Sequence, residues 1–469
     1  MMSEFPLPAE FEKRMQAQLG KDYQDFSNAL CSTSLRSIRL HPLKGNSYLP
    51  HSLSPVPWYE YGYWIPSDYV FTWDPLLHAG VYYVQEASSM FLAQLLRPVV
   101  NELSDGVVLD LCAAPGGKST LLADLLEDRH LLISNEVIRS RAPILDENVQ
   151  KWGYRNSIVI SLDPEEIGKL LTHQVDVLVI DAPCSGEGLF RKDPKAREEW
   201  SVANGELCAA RQKRIIADAW DSLKPGGYLV YSTCTFNPDE NEHVVQWMYD
   251  TYQVEPVSFD VEARDGILVN SVQNISTYQF LPHLVNGEGF FTCIVRKPEG
   301  DVRHSSYRSK RKDKKLGLPP VSDLYKEWMQ QHDFVFKVNG EQVTLMEERW
   351  DYIVSILEDT KMLRAGIPFG TPKGKEWIPS HGFALSMYLP LNAFPEYDLE
   401  YDHAVKFLKR EDIPPTETLG WNLITYQNNP IGFIKSMGNR INNYYPMEWR
   451  IRHNAPQDNS IFKLEEVCL

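Results

Sequence analysis

The chain has 469 residues, of which 43% are apolar, and carries a formal net charge of −16. That length predicts two to four domains rather than one core. No uncharged apolar run approaches the roughly 18–20 residues a membrane span needs, and the acidic start lacks a leader's basic and apolar regions, so the expectation is a cytoplasmic protein without a membrane partner.

In chain order, Phe11, Met15 and Leu19 recur at helical spacing and stop at Gly20, which predicts an opening helix. The aromatic stretch "VPWYEYGYW" leads into "GVYYVQEASSMFLAQLL", whose second half predicts a buried helix. From about residue 107 the rhythm changes. Short β-type runs, "VVLDLC", "LLISNEV", "NSIVIS", "VDVLVIDA", "GYLVYSTC" and "GFFTCIVRK", alternate with helical segments. Such alternation predicts βαβ units, hence an α/β fold with a mostly parallel sheet covered on both faces.

Beyond it the composition shifts again. Between Arg303 and Lys315 stand seven Lys/Arg and one Asp, a local charge of 7 − 1 = +6 in an acidic chain. This reads as a solvated linker, with contact to phosphates as the sharper alternative. Residues 320–390 read as a small α+β domain, and 391–469, with short β-type runs and Asn-Asn turns, as a compact β barrel. The expected boundaries are therefore 1–100, 101–298, 299–319, 320–390 and 391–469.

The seven cysteines (31, 112, 184, 208, 234, 293 and 468) are odd in number and scattered, without a C-x-x-C pair. They predict a reducing compartment, no disulfide framework and no metal site. "VVLDLCAAPGGKST" places a Pro and two Gly directly after the first strand of the βαβ series, where a ligand of an open α/β sheet binds. It is neither G-x-G-x-x-G nor the phosphate loop, so a dinucleotide or ATP is poorly supported. Glu136 follows the second strand, where a carboxylate can accept both hydroxyls of a ribose. "VDVLVIDAPCSGEG" and "GYLVYSTCT" then put Cys184 and Cys234 at the ends of consecutive strands, on the same edge as the ligand turn.

A thiol beside an adenosine-type site has a use. Thiolate addition to C6 of a pyrimidine makes C5 nucleophilic toward a methyl donor, and Asp181 could hydrogen-bond N3 or the exocyclic amine of cytosine. "CAAPGGK", "DAPCSGEG" with "FRKDP", and "YSTCTFNPDENE" together resemble the RNA (cytosine-5)-methyltransferase family, RsmB/NOP type, in its bacterial RsmF/YebU-like branch acting on small-subunit ribosomal RNA. The likeness extends over most of the chain, from "YYVQEASSM" to "GNRINNYYPMEWRI".

The resemblance implies an S-adenosylmethionine-dependent methyltransferase (Rossmann-like) sheet, an N-terminal RNA-binding extension and a C-terminal PUA-like domain. It implies that Cys112, Ala113, Ala114, Pro115, Gly116, Gly117 and Lys118 form the S-adenosyl-L-methionine turn, with Glu136 on the ribose. Asp163 falls where an acid near the adenine is common, and as a helix-start Asp before Pro164 it has an equal structural explanation. Asp181 is implied near the methionine end and the base, Cys234 as nucleophile and Cys184 as the aid to product release. Lys192 follows the P-C motif and is carried as a group orienting the cysteine, base or phosphate, against a solvated lysine. Expected partners are 16S ribosomal RNA or the small subunit, with the protein a monomer. Transfer RNA or another RNA as substrate, and a non-catalytic RNA-binding scaffold, are the rival functions.

Overall fold

A computed structural model describes residues 6–48, 53–66, 69–193, 195–257, 266–300, 334–339, 341–373, 376–454 and 461–464. The basic run at 303–315 lies outside them.

The opening helix α1 (Ala9–Leu19) buries Phe11 and Met15 and stops at Gly20, whose φ of 54° favours glycine. Next come strands β1 (Arg36–Leu40), β2 (Gly62–Ile65) and β3 (Tyr82–Val84), with β1 between the other two and antiparallel to both. Helix α2 (Leu92–Glu102) carries the predicted buried segment.

The βαβ series follows as β4 (Val107–Asp110), α3 (Gly117–Leu126), β5 (Leu131–Asn135), β6 (Ser157–Ile160), α4 (Pro164–Leu170), β7 (Val175–Asp181), α5 (Val202–Ala219), β8 (Leu223–Thr233) and α6 (Glu242–Tyr252). Strands β9 (Leu268–Val272), β10 (Ile275–Phe280) and β11 (Phe290–Arg296) complete one edge, and β12 (Met362–Ala365) the other. The ten-stranded sheet runs β9-β10-β11-β8-β7-β4-β5-β6-β12, with a short strand at 255–256 beside β11. From β6 to β8 all pairings are parallel, whereas β11 and β12 pair antiparallel.

Each central strand is apolar on both faces because both are covered. Leu109, Ile133, Leu178 and Leu229 pack with Ile215 and Ile216 of α5 and Met248 of α6. Their neighbours Val108, Leu132, Val177 and Val230 point the other way, toward Leu96 and Val99 of α2 and Leu122 of α3. This period-two alternation fixes the register, since a one-residue slip would exchange the two cores.

The segment expected at 320–390 divides its allegiance. Strands at Phe334–Asn339, Gln342–Glu347, Ile367–Lys373 and Glu376–Pro379 form a four-stranded sheet of their own, while α7 (Asp351–Leu357) and β12 pack onto the βαβ core. The last module is a four-stranded mixed sheet with helix α8 (Tyr401–Lys409). Its Phe407, Ile424 and Ile434 share one core with Ile38, Leu40 and Tyr82 of the N-terminal module. Chain ends distant in sequence thus meet beside the central sheet. Lys44 joins three modules: its ammonium donates to the carbonyls of Ala79, Lys151 and Leu385 at 3.1, 2.6 and 2.7 Å.

Candidate functional site

The site lies at the carboxyl edge of the parallel strands. After β4 the chain turns through Leu111–Gly116 into α3, and Gly116 has a φ of 117°, a conformation that side chains disfavour. At the end of β4, Asp110 is fully buried; its Oδ2 accepts from the Ser119 hydroxyl at 2.6 Å, and Oδ1 has no protein partner among the described residues. Burial pushes its pKa up to about 7, against the stabilising Ser119 hydrogen bond. Glu136, just past β5, is buried; one oxygen accepts from the Ile138 amide at 2.8 Å and the other lies 3.4 Å from Arg141. Asp163 caps α4 through the Glu165 amide, so its structural explanation holds. A cavity of about 780 Å³ joins Cys112, Glu136 and Asp163 to Asp181, Cys184 and Cys234.

Strands β7 and β8 are parallel neighbours, with Asp181 opposite Ser232, so the segments leaving them run side by side. The sulfurs of Cys184 and Cys234 are consequently 3.0 Å apart. The thiol pKa of Cys184 is pushed well up, first by its hydrogen bond with the Cys234 sulfur and then by burial. Asp181 accepts from the Ser232 hydroxyl at 2.8 Å and from the Lys118 ammonium at 2.8 Å. Burial opposes the charge on Lys118, yet the Asp181 carboxylate, with Cys234 and Asp110 beyond it, holds its pKa above the usual value. A carboxylate, an ammonium and two thiols therefore converge.

Buried acids hold this convergence together. Glu240 accepts from the Ser185 amide at 2.9 Å and Gln212 at 3.0 Å, and the Ser185 and Thr235 hydroxyls are 2.9 Å apart. Fully buried Glu187 accepts from Arg14 of α1 at 2.6 Å, the Phe236 amide at 3.1 Å and the Trp200 indole at 2.9 Å. Gly188 donates its amide to the Cys234 carbonyl at 2.8 Å. A Cβ on Gly188 would stand 2.6 Å from that carbonyl oxygen and 2.7 Å from the Gly289 oxygen. Gly188→Ala is expected to displace the Cys234 segment and lower activity on the order of 10²-fold, the scale of an ångström-sized misplacement. Activity assays beside far-UV circular dichroism check this, and unchanged activity would refute it.

The structure thus brings Cys112, Ala114, Glu136, Asp163, Asp181, Cys184 and Cys234 to one cavity. Ala113 is buried in the same turn, and Pro115, Gly116 and Gly117 lead into α3. Lys118 reaches the thiols through Asp181, a role the motif reading did not separate from cofactor binding. Lys192 lies apart from these residues. It lines a separate groove with Arg36, Glu86 and Glu288, because the left-handed Gly186 (φ 73°) and the turn at Glu187–Leu189 carry the chain away from the cavity. In the C-terminal module Tyr445 is fully buried, with its hydroxyl 3.0 Å from His78, and is a core tyrosine. Lys435 pairs with Glu376 at 2.7 Å, and Tyr444 packs on the Trp421 ring.

A doubly wound sheet with a glycine-bearing first turn, an acid after the second strand and paired cysteines after the fourth and fifth defines a methyltransferase of the Rossmann-like class. Solved structures share this fold. A methyltransferase homolog protein from Pyrococcus horikoshii is 27% identical, with a TM-score of 0.51 over 61% of this chain and 94% of that one. NSun6 from Pyrococcus horikoshii, solved with SFG, is 21% identical with a TM-score of 0.52 over 62% of this chain and 99% of that one.

Family models match in three consecutive pieces: the N-terminal domain of 16S rRNA methyltransferase RsmF at 7–87, 16S rRNA methyltransferase RsmB/F at 93–296, and the methyltransferase RsmF PUA domain at 394–451. Ribosomal RNA small subunit methyltransferase F of Erwinia tasmaniensis is 33% identical over 94% of this chain and 96% of its own length. The protein of that name from Vibrio parahaemolyticus is 32% identical over 94% and 97%. The chain belongs to the RsmF family of RNA methyltransferases.

Proposed function

We propose that the protein transfers a methyl group from S-adenosyl-L-methionine to C5 of a cytosine in 16S ribosomal RNA through a covalent bond between Cys234 and C6. The observation that carries the reading is the 3.0 Å approach of the two cysteine sulfurs beside the Lys118–Asp181 pair, in a cavity shared with Glu136.

The cavity fits the cofactor. Cys112, Ala114, the buried Glu136 carboxylate and Asp163 line it, directly after the strand ends where such a ligand binds. When bound, the cofactor supplies an electrophilic methyl group. The chain's residues do the rest. Cys234, as thiolate, adds to C6, and the displaced π electrons make C5 nucleophilic. Asp181, held by Ser232 and Lys118, accepts from the exocyclic amine, while the Lys118 ammonium offsets charge on the ring. Cys184 stands at the sulfur that must leave, positioned to assist the β-elimination that follows loss of the C5 proton.

The target base must leave its stack to reach the cavity, so the flanking modules at 1–100 and 391–469 are read as holding the RNA. Incubation with tritiated cofactor and 16S ribosomal RNA, followed by bisulfite sequencing, tests the reading. Cytosine protected from conversion in 16S ribosomal RNA is expected. Label in another base, or label only in transfer RNA or duplex DNA, would overturn it.

A further inference from the structure

We infer that Cys184 and Cys234 form an oxidative modification site, closed by peroxide into a disulfide and reopened by thiols. The sulfurs are 3.0 Å apart, whereas a disulfide bond is about 2.05 Å long, so closure requires only about an ångström of approach. Both cysteines are half-buried and line the cavity of about 780 Å³, through which a molecule as small as a peroxide can pass.

The backbone around them is already in register. The Ser232 hydroxyl on Asp181 at 2.8 Å ties the two segments before the sulfurs, and the Ser185–Thr235 hydroxyl pair at 2.9 Å and the Gly188 amide on the Cys234 carbonyl at 2.8 Å tie them at and beyond the sulfurs. The remaining described cysteines differ: Cys31 is exposed elsewhere, Cys208 and Cys293 are buried, and Cys112 shares the cavity without a sulfur partner among the described residues.

The electron count is that of a two-thiol peroxide reduction. The Cys234 thiol gives up its proton and its sulfur attacks a peroxide oxygen; the S–O bond forms, the O–O bond breaks, and the departing hydroxide takes up that proton and leaves as water. The Cys184 sulfur then attacks the sulfenic sulfur; the S–S bond forms, the S–O bond breaks, and hydroxide leaves with the Cys184 proton as a second water. The two thiols lose two hydrogens and two electrons, and hydrogen peroxide is reduced to two waters. In a reducing compartment the pair stays open, and it closes under an oxidant load.

The effect on activity rests on the proposal that Cys234 is the nucleophile; formation of the bond does not. The full-length protein, free of RNA, is treated with hydrogen peroxide, alkylated under denaturing conditions and digested for mass spectrometry, with a parallel aliquot assayed for methyl transfer. The expected result is joint loss of alkylated Cys184 and Cys234, appearance of their linked peptides two hydrogens lighter, and a fall in activity of more than ~10-fold that dithiothreitol reverses. In Cys184→Ser, the same treatment should carry Cys234 to sulfinic or sulfonic acid, which dithiothreitol cannot restore.

Recovery of both thiols, or over-oxidation of Cys234 in the unsubstituted protein, would overturn the inference even if Cys234→Ser is inactive. A linked pair that still methylates RNA would uphold the modification site and overturn the nucleophile reading instead.

Discussion

Cys234→Ser is expected to lower methyl transfer on the order of 10⁴-fold or more while leaving the fold intact, because the alcohol lacks the nucleophilicity of the thiolate and the pathway through a C6 adduct closes. Cys184→Ser is expected to fail differently. It should retain adduct formation and lose release, accumulating a protein–RNA complex that survives denaturing electrophoresis. The asymmetry follows from the pair's geometry. The hydrogen bond to its partner and burial push the Cys184 pKa up, so that thiol keeps its proton, and the sulfur 3.0 Å from it is the proposed nucleophile. Serine at 184 still allows attack, but it removes the acid beside the leaving sulfur. Electrophoresis of each variant with labelled RNA and cofactor separates the two failures. Turnover by Cys234→Ser, or a trapped complex with that variant in place of Cys184→Ser, would reverse or abolish the assignment.

How much of this site was legible beforehand depends on range along the chain. The strands announced themselves as apolar runs, and the tendency of consecutive parallel strands to be neighbours was enough to set position 184 beside 234. The Gly116 turn and the carboxylate after β5 follow from the same edge rule.

What stayed hidden depends on contacts between distant segments that no local period encodes. Glu187 and Glu240 look like ordinary surface acids in "SGEG" and "PDENE", yet both are fully buried, because Arg14 and Trp200 meet one and Ser185 and Gln212 the other. Lys192 shows the opposite relation. It is near the P-C motif in sequence, but the turn at Glu187–Leu189 separates it from the cavity in space. Tyr445, one of two adjacent tyrosines in "NNYYP", lies in the core shared by the N- and C-terminal modules, which nothing in its local sequence signals.

The buried pair Arg39–Asp124 carries the other large expected effect. Arg39 of β1 is fully buried; its guanidinium lies 4.4 Å over the Trp152 ring and bonds Asp124, with Nε donating to Gln85 at 2.7 Å and Nη2 to the Thr120 hydroxyl at 2.5 Å. Asp124 also accepts from the Trp152 indole at 2.7 Å. The pair therefore bolts the N-terminal sheet onto α3, the helix that begins at the cofactor turn and carries Lys118. Arg39→Met leaves Asp124 a buried carboxylate with no counter-charge, a change expected to cost about 3–5 kcal/mol of unfolding free energy.

Replacing both partners, Arg39→Met with Asp124→Leu, removes the stranded charge and should recover most of that loss, since well-packed apolar groups often match a buried ion pair in stability. Cofactor affinity should not recover in parallel, because the bonds from Arg39 to Gln85 and Thr120 that hold the start of α3 are gone in both variants. Chemical unfolding of the single and double variants, with cofactor binding measured by calorimetry, tests the two statements separately. A single variant as stable as the parent, or a double variant no better than the single, would mean that the N-terminal module is fastened by its apolar core alone.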